Sequence, residues 1–512
     1  MLQFALAFVV FVSSAGGMVM EIVAGRLIAP YVGMSLYTWT AIIAVVLSGL
    51  SAGHWVGGHL APLEANLRTG SRRIAVALAL AGISSLASLV LLRVVSGKVL
   101  ASGIGTIPAI VLLSGTLFFL PSLFVGIVSP IVTKLAIDVG PLGPGRIIGR
   151  MFALGALGSI LGTLLAGYLF ISWIGSTGTV LVVAGVYALL ALGFVIGLRS
   201  GALLSVFMVL GIFGGGLVWW GKTEKAFQSP CQTESDYFCI RIVDISADNR
   251  RQSAMMVLDH LVHGINDAKD PGFLYSPYIH FIDEITKFRL PQGQDPSAFF
   301  IGGGGYSLPR AWGNDYEAAK LVVAEIDPGV TQAAREHLWL SAKTPGLSIM
   351  HQDARAALQS LPAEPSFDVV FGDAFRDITI PTHLVTREFH RQIAGRLKPA
   401  GFYVVNVVDD AESPRFLYSL IRTLNADFKA VEVWRTLGEM SETGRVTYVV
   451  LASQAPTSAS RINSSRGIAR TWARWPDADI RPLITAEKVP ELTDDFAPVD
   501  WLMAGLIFSA KD

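Results

Sequence analysis

The chain predicts two folds in series: a bundle of apolar helices over residues 1–221, then a soluble α/β domain built on a parallel sheet with crossover helices. Three observations carry this. Only thirteen of the 40 basic and 40 acidic residues precede Gly221. The first half contains about seven apolar runs of ~20 residues, the length that crosses ~30 Å of hydrocarbon. In the second half, short apolar runs alternate with amphipathic stretches, which is how a wound parallel sheet is written. The charge split has a physical cause, because an ionised side chain at mid-bilayer costs roughly 2.5–3.5 kcal/mol even on a lenient insertion scale.

The apolar runs lie near 3–29, 36–60, 74–94, 106–133, 150–174, 177–198 and 201–220. The first is too long for the apolar core of a cleaved signal and lacks a clear cleavage site. Short-loop cations set the expected orientation: Arg68, Arg72 and Arg73 in the second loop, Lys134, Arg146 and Arg150 around the fourth, Arg199 at the sixth, against little beyond Lys98 in the odd loops. Cation-rich loops stay inside. The N-terminus is therefore expected in the cytoplasm of a multi-pass inner or plasma membrane protein. An odd number of crossings then delivers the second half to the extracytoplasmic side, the periplasm of a Gram-negative cell. Within the spans, Glu21, Arg26, His54 and His59 either line a polar path or snorkel and pair locally. The lipid bilayer is thus one expected partner, and a homodimer is a candidate assembly.

Cys231 and Cys239 are the chain's two cysteines. An oxidising compartment permits a bridge between them, the alternative being two unrelated buried thiols. With no clustered His or further Cys at ligand spacing, no metal site is expected. The second half is mildly acidic, and nothing in it suggests nucleic acid binding.

After the last apolar run, residues 229–290 read as a small β-rich lead-in, with "YFCIRIVDIS" and "SAMMVLDHLVHG" as hairpin strands. Residues 291–455 form the wound sheet, with strands near 298–301, 321–325, 347–350, 368–372 and 402–407 and a late antiparallel pair, "AVEVWRT" and "RVTYVVLAS". The tail, 456–512, is rich in Ser, Arg and Pro and gives no structural pattern.

Ligands of such sheets sit over the carboxyl ends of the strands. There, "FFIGGGGYSLPRAW" supplies Gly302, Gly303, Gly304 and Gly305, which let a backbone approach a ligand at a helix N-terminus. Glu325 ends the second strand about twenty residues on, where an acid reaches ribose hydroxyls. Asp353 follows the third strand and Asp373 the fourth. Taken singly, each acid is explained as a helix cap or loop tie. Together, after three successive strands, they point to one site.

The order GGGG, EID, QDA, FDVVFGDAF and "EFHRQIAGRLKPAGFYVVNV", with the lead-in "VLDHLVHG…FLYSPYIHFI", resembles the spermidine synthase family over roughly residues 235–455. The whole chain resembles fused proteins that join a multi-span membrane half to such a domain. The resemblance implies a class I methyltransferase-like (Rossmann-like) fold. It also implies a transferase of polyamine biosynthesis that moves an aminopropyl group from decarboxylated S-adenosylmethionine to an amine. In it, Glu325 binds the ribose, Asp353 lies at the adenine and Asp373 assists the attacking amine. Gly302, Gly303, Gly304 and Tyr275 belong to the cosubstrate site. Read from the residues rather than from the resemblance, Asp377, His263 and Tyr306 are expected at the substrate end, and His383 either in a loop closing over the acceptor or as a helix-capping or surface histidine.

Departures concentrate at the acceptor. Gly305 stands where the family carries Asp, Tyr306 where Gly is usual, and Ser276 where His is usual. Arg376 brings a cation into the acidic loop after Asp373. Two rival readings stay open: an S-adenosylmethionine-dependent methyltransferase on the same fold, and a transporter whose soluble domain only senses polyamines or nucleosides.

Overall fold

The computed structural model describes residues 2–64, 66–198, 201–375, 379–438 and 444–508. Arg199, Arg376 and Asp377, all named above, lie outside the described residues. The chain divides into two compact units, Met1–Asp236 and Tyr237–Asp512.

The first unit is helical: α1 Leu2–Val32, α2 Leu36–Leu60, α3 Leu67–Leu100, α4 Thr106–Val139, α5 Pro144–Leu165, α6 Ile171–Leu198 and α7 Gly201–Thr223, with a π-helical turn at Ala166–Phe170. Among the described residues, six helical runs are long and apolar enough to cross a membrane, and one of them is the 55-residue stretch Pro144–Leu198. Held straight, that stretch would extend about 80 Å at 1.5 Å per residue, far beyond one crossing.

Its break is at Gly175, whose φ of 70° and ψ of 171° leave the helical region. Packing on α1 shows what happens there. Gly158 and Gly162 lie so close to α1 that an added Cβ would sit 2.2 Å from the carbonyl oxygens of Phe11 and Ala15 respectively, so α5 and α1 run parallel. Beyond Gly175 the direction is reversed, since the Tyr187 hydroxyl donates to the Ser13 carbonyl at 3.3 Å. The 55-residue run is therefore two antiparallel arms. The glycines of "GALGSILGTLLAG" serve the first of these by removing side chains from the α1 interface.

The end of the bundle that holds Gly175 is also where the chain leaves it. Arg26 donates to the Ser235 carbonyl, and Arg93 to that of Gln228 at 3.3 Å. The Ser176 amide, opening the reversed arm, donates to Glu234 Oε2 at 2.9 Å. The turns joining α2 to α3 and α4 to α5 belong to the other end, and the cations expected in those loops stand in the flanking helices: Arg68, Arg72 and Arg73 in α3, Lys134 in α4, Arg146 and Arg150 in α5. Arg26 is thus engaged by a backbone carbonyl 209 residues on. His54 and His59 are exposed on the outer face of α2, where the His59 ring packs 4.5 Å from that of Trp55. A polar path through the bundle lined by these histidines is not what the packing builds.

The second unit opens with antiparallel strands Cys239–Asp244, Ser253–Leu258 and Leu261–Asp267. Helix Pro277–Arg289 leads into a 9-stranded sheet. Across it the strands lie in the order 461–463, 471–475, 430–436, 445–453, 397–410, 367–372, 297–301, 320–324 and 347–350. The last five are mutually parallel and the others pair antiparallel. Both faces are covered. In strand Ser297–Ile301, Phe299 and Ile301 enter one core and Ala298 and Phe300 the other, which is why the strand reads as an uninterrupted apolar run.

The tail is not patternless. Strands Arg461–Asn463 and Thr471–Trp475 extend the sheet, and Leu492, Val499, Leu502 and Met503 enter the core. Its charges hide this because several are engaged in internal pairs, as where Arg474 meets the buried Glu432 at 3.1 Å.

Candidate active site

The first strand of the parallel set, Ser297–Ile301, lies between the second, Lys320–Ala324, and the fourth, Phe367–Gly372. Chain connections diverge on either side of it, which makes its carboxyl end the switch point where sheets of this kind take their ligands. Gly302 and Asp373 sit at that point. Gly302 has φ 96°, and a Cβ there would meet the Asp373 carbonyl oxygen at 2.7 Å, so only glycine lets the two loops approach.

The glycine turn is tied from several sides. Tyr306 N–H closes it on the Gly303 carbonyl at 2.8 Å, and Gly305 N–H donates to the His263 carbonyl at 2.9 Å. Buried Asn266 donates to the Gly305 carbonyl at 2.8 Å and accepts from the Ser307 hydroxyl at 2.6 Å. Gly264 and Gly305 meet backbone to backbone, leaving no room for a side chain on either.

Glu325 is 6% exposed and faces this turn. Its Oε2 accepts from Gly303 N–H at 2.7 Å and Gly304 N–H at 3.4 Å, while Oε1 accepts from Asp327 N–H at 2.9 Å. Burial nevertheless raises its pKa above the ordinary carboxylate value, the amide bonds opposing that shift only in part. Asp327 caps the next helix through Gly329 N–H at 2.8 Å.

Asp373 is held differently. Oδ1 accepts from the Asn406 amide at 2.9 Å and Oδ2 from the Tyr278 hydroxyl at 3.1 Å. Desolvation outweighs those two bonds and pushes the carboxyl up to about 7. It is therefore poised to exchange a proton near neutrality. Tyr278, on helix Pro277–Arg289, and Asn406, on strand Leu397–Asp410, carry no assignment from the sequence. Both stand in quoted stretches, but a hydroxyl and an amide carry no signal until the fold aims them at a carboxylate.

Asp353 caps helix Ala354–Ser360, with Oδ1 accepting from the amides of Arg355 and Ala356 at 2.9 and 3.1 Å. Its second oxygen lies 2.6 Å from His383 Nε2. Burial would raise its pKa, but the histidine bond and the helix amides win and hold it below the usual value. His383 thus closes onto the third strand's acid rather than onto Asp373. Strand spacing puts Asp353 and Asp373 three ladder steps apart, about 14 Å, with Glu325 and the glycine turn between them.

The remaining expected residues divide. Among the described residues the buried Tyr275 hydroxyl has no hydrogen-bond partner, and its ring packs edge-on to Phe273 at 4.9 Å. His263 shapes the turn through its carbonyl, and burial lowers its imidazole to about 4, so the ring is neutral. Tyr306 does not reach a substrate: it is fully buried, with its hydroxyl 2.6 Å from Thr331 Oγ1. The left-handed backbone at Tyr306, φ 54°, turns the side chain inward under Gly303. Among the described residues no group of three or more His, Cys, Asp or Glu is arranged to hold a metal ion.

No protein-family profile matches the chain. A polyamine aminopropyltransferase of Vibrio vulnificus is 25% identical over 235 residues, covering 45% of this chain and 76% of the relative. Polyamine aminopropyltransferase 2 of Streptomyces coelicolor is 24% identical over 450 residues, 81% of this chain and 76% of the relative, so that similarity reaches into the helical half. Among solved structures, a probable spermidine synthase from Corynebacterium glutamicum aligns with a TM-score of 0.45 and 19% identity over 53% of this chain and 99% of that one.

Proposed function

We propose, for a chain that belongs to the spermidine synthase family, that this is a membrane-bound transferase moving the aminopropyl group of decarboxylated S-adenosylmethionine to an amine. In this reading Glu325 holds the ribose through its remaining lone pairs, and Asp353 with His383 lies at the adenine end. The acceptor's nitrogen attacks the donor's terminal propyl carbon next to the sulfonium. A C–N bond forms, the C–S bond breaks, and neutral methylthioadenosine leaves with the bond's electron pair. The proton shed by the nitrogen goes to Asp373.

One observation carries the reading: the Asp373 carboxyl, placed at the switch point and pushed up to about 7. An amine of pKa ~10.4 facing an ordinary aspartate of ~3.9 must give up its proton across ~6.5 pKa units; facing a base of about 7 the gap is ~3.4, easier by about 4 kcal/mol. The Tyr278 hydroxyl and the Asn406 amide orient that base. Incubating the full-length protein in detergent with the donor and a panel of amines tests the proposal. Methylthioadenosine and an acceptor heavier by one aminopropyl unit are expected. Transfer of a methyl group from S-adenosylmethionine, or nucleoside binding with no turnover, would overturn it.

We also place the soluble unit outside the cytoplasm. Support comes from the helix ends that carry Arg68, Arg72, Arg73, Lys134, Arg146 and Arg150 lying at the end of the bundle opposite the chain's exit, and from both cysteines being disulfide-bonded. In intact cells, Cys231 and Cys239 should resist a thiol-alkylating reagent until a reductant is added. Labelling without reduction would return the domain to the cytoplasm.

A further inference from the structure

Beneath the glycine turn lies a hydrogen-bonded file that the proposed chemistry does not use. The Tyr306 ring sits directly under Gly303, so close that a Cβ on that glycine would be 2.6 Å from the ring's Cζ. The Tyr306 hydroxyl is 2.6 Å from Thr331 Oγ1, and Thr331 is 1% exposed on helix Pro328–His337. The same oxygen is 3.0 Å from Nε2 of His351, an exposed residue between the third strand and Asp353. A threonine hydroxyl donates once and accepts twice, so it satisfies both neighbours. Tyr306 holds φ 54°, a conformation that a bulky residue keeps only where its surroundings enforce it. Directly above, Gly303 N–H bonds Glu325 at 2.7 Å.

We propose that Tyr306, Thr331 and His351 form a positioning strut that sets donor affinity by holding the glycine turn, and through it Glu325, from below. The inference rests on the reading of Glu325 as the donor's ribose ligand. None of the three touches the reacting atoms, so the strut acts on donor binding and leaves the transfer step alone. His351, at the rim, anchors its outer end.

The test uses the full-length protein in detergent, with steady-state turnover and calorimetric titration of methylthioadenosine. Tyr306→Phe and His351→Leu should each raise the donor KM and the methylthioadenosine Kd about five- to tenfold, the worth of one net hydrogen bond, with kcat within about twofold of the parent. His351→Gln, whose amide reaches the same hydroxyl, should recover most of the loss. The double variant should be no weaker than the worse single one, because both changes break one file. Unchanged Kd in His351→Leu, a fall in kcat at constant KM, or multiplying effects would each overturn the strut. His351 is exposed, so its variants report even if Tyr306→Phe folds poorly. If the parent protein binds no methylthioadenosine, the donor reading itself fails and the strut with it, a result distinct from a parent that binds and a His351→Leu that binds equally well.

Discussion

Asp373→Asn should lower kcat by about 10²- to 10⁴-fold while leaving methylthioadenosine affinity close to the parent value, the range expected when a general base is removed without disturbing the site. The change is nearly isosteric, and the surroundings can absorb it. Asn406 donates to Asp373 through its amide nitrogen, and among the described residues its own buried Oδ1 has no partner. A half-turn of the Asn406 amide offers that oxygen to the amide nitrogen the substitution introduces. The pH profile separates base loss from misfolding. Parent turnover should fall as pH drops through about 7, where the Asp373 carboxyl takes up its proton. The variant should lose that inflection while keeping the slope set by the amine's own titration. Stability should move the other way. A carboxyl whose folded pKa is raised contributes stability that is full below its unfolded value of ~3.9 and lost as pH rises to its folded value of about 7. Asp373→Asn should therefore melt above the parent at pH 8, with the gap closing toward pH 4. Asp409, also raised to about 7 by burial, is common to both proteins and cancels. Unaltered turnover in the variant would remove Asp373 from the mechanism.

Much of this is legible in the sequence for a simple reason: burial on both faces writes a parallel strand as a solid apolar run. "FFI" and "VVF" announce their strands, and the acids follow where each run stops. The bundle is legible because its helices are long, apolar and nearly free of charge, as a bilayer-crossing helix must be. Gly175 shows where composition runs out. One glycine among apolar residues reads as small-residue packing, yet its φ of 70° reverses the chain, and no hydropathy scale carries a dihedral. Tyr306 shows a second limit. From the sequence it stands beside the ligand loop, but whether it points outward from the glycine turn or beneath it depends on the sign of its own φ. Asn266, Tyr278, Thr331 and Asn406 share a third. Neutral polar side chains acquire a role only from their neighbours in space, and those come from elements 33 to 95 residues away in the Asn406–Asp373 and Tyr278–Asp373 bonds.

Glu325→Gln tests whether the glycine turn and the donor site are one structure. The carboxylate accepts on both oxygens, Oε2 from the Gly303 and Gly304 amides and Oε1 from Asp327. A glutamine has one acceptor oxygen and one donor nitrogen, so in either orientation an N–H faces another N–H across a site only 6% exposed. One buried amide left unpaired costs about 1–3 kcal/mol. Turning the oxygen toward the turn leaves Asp327 N–H orphaned and loosens the start of helix Pro328–His337. Turning it toward Asp327 frees Gly303 and Gly304 to move. Either way the acceptor for a ribose hydroxyl is lost as well. Methylthioadenosine Kd should rise at least about tenfold, and the melting temperature of the second unit should fall by several degrees, the effect of about 1–3 kcal/mol on a domain of this size. Because Glu325 is raised by burial, its ionised form costs the fold more as pH climbs. The thermal deficit of Glu325→Gln should accordingly be smaller at pH 8 than at pH 4, below the ordinary glutamate value from which burial raises it. A variant that melts lower but binds methylthioadenosine like the parent would leave Glu325 as a structural tie and move the ribose elsewhere on the rim.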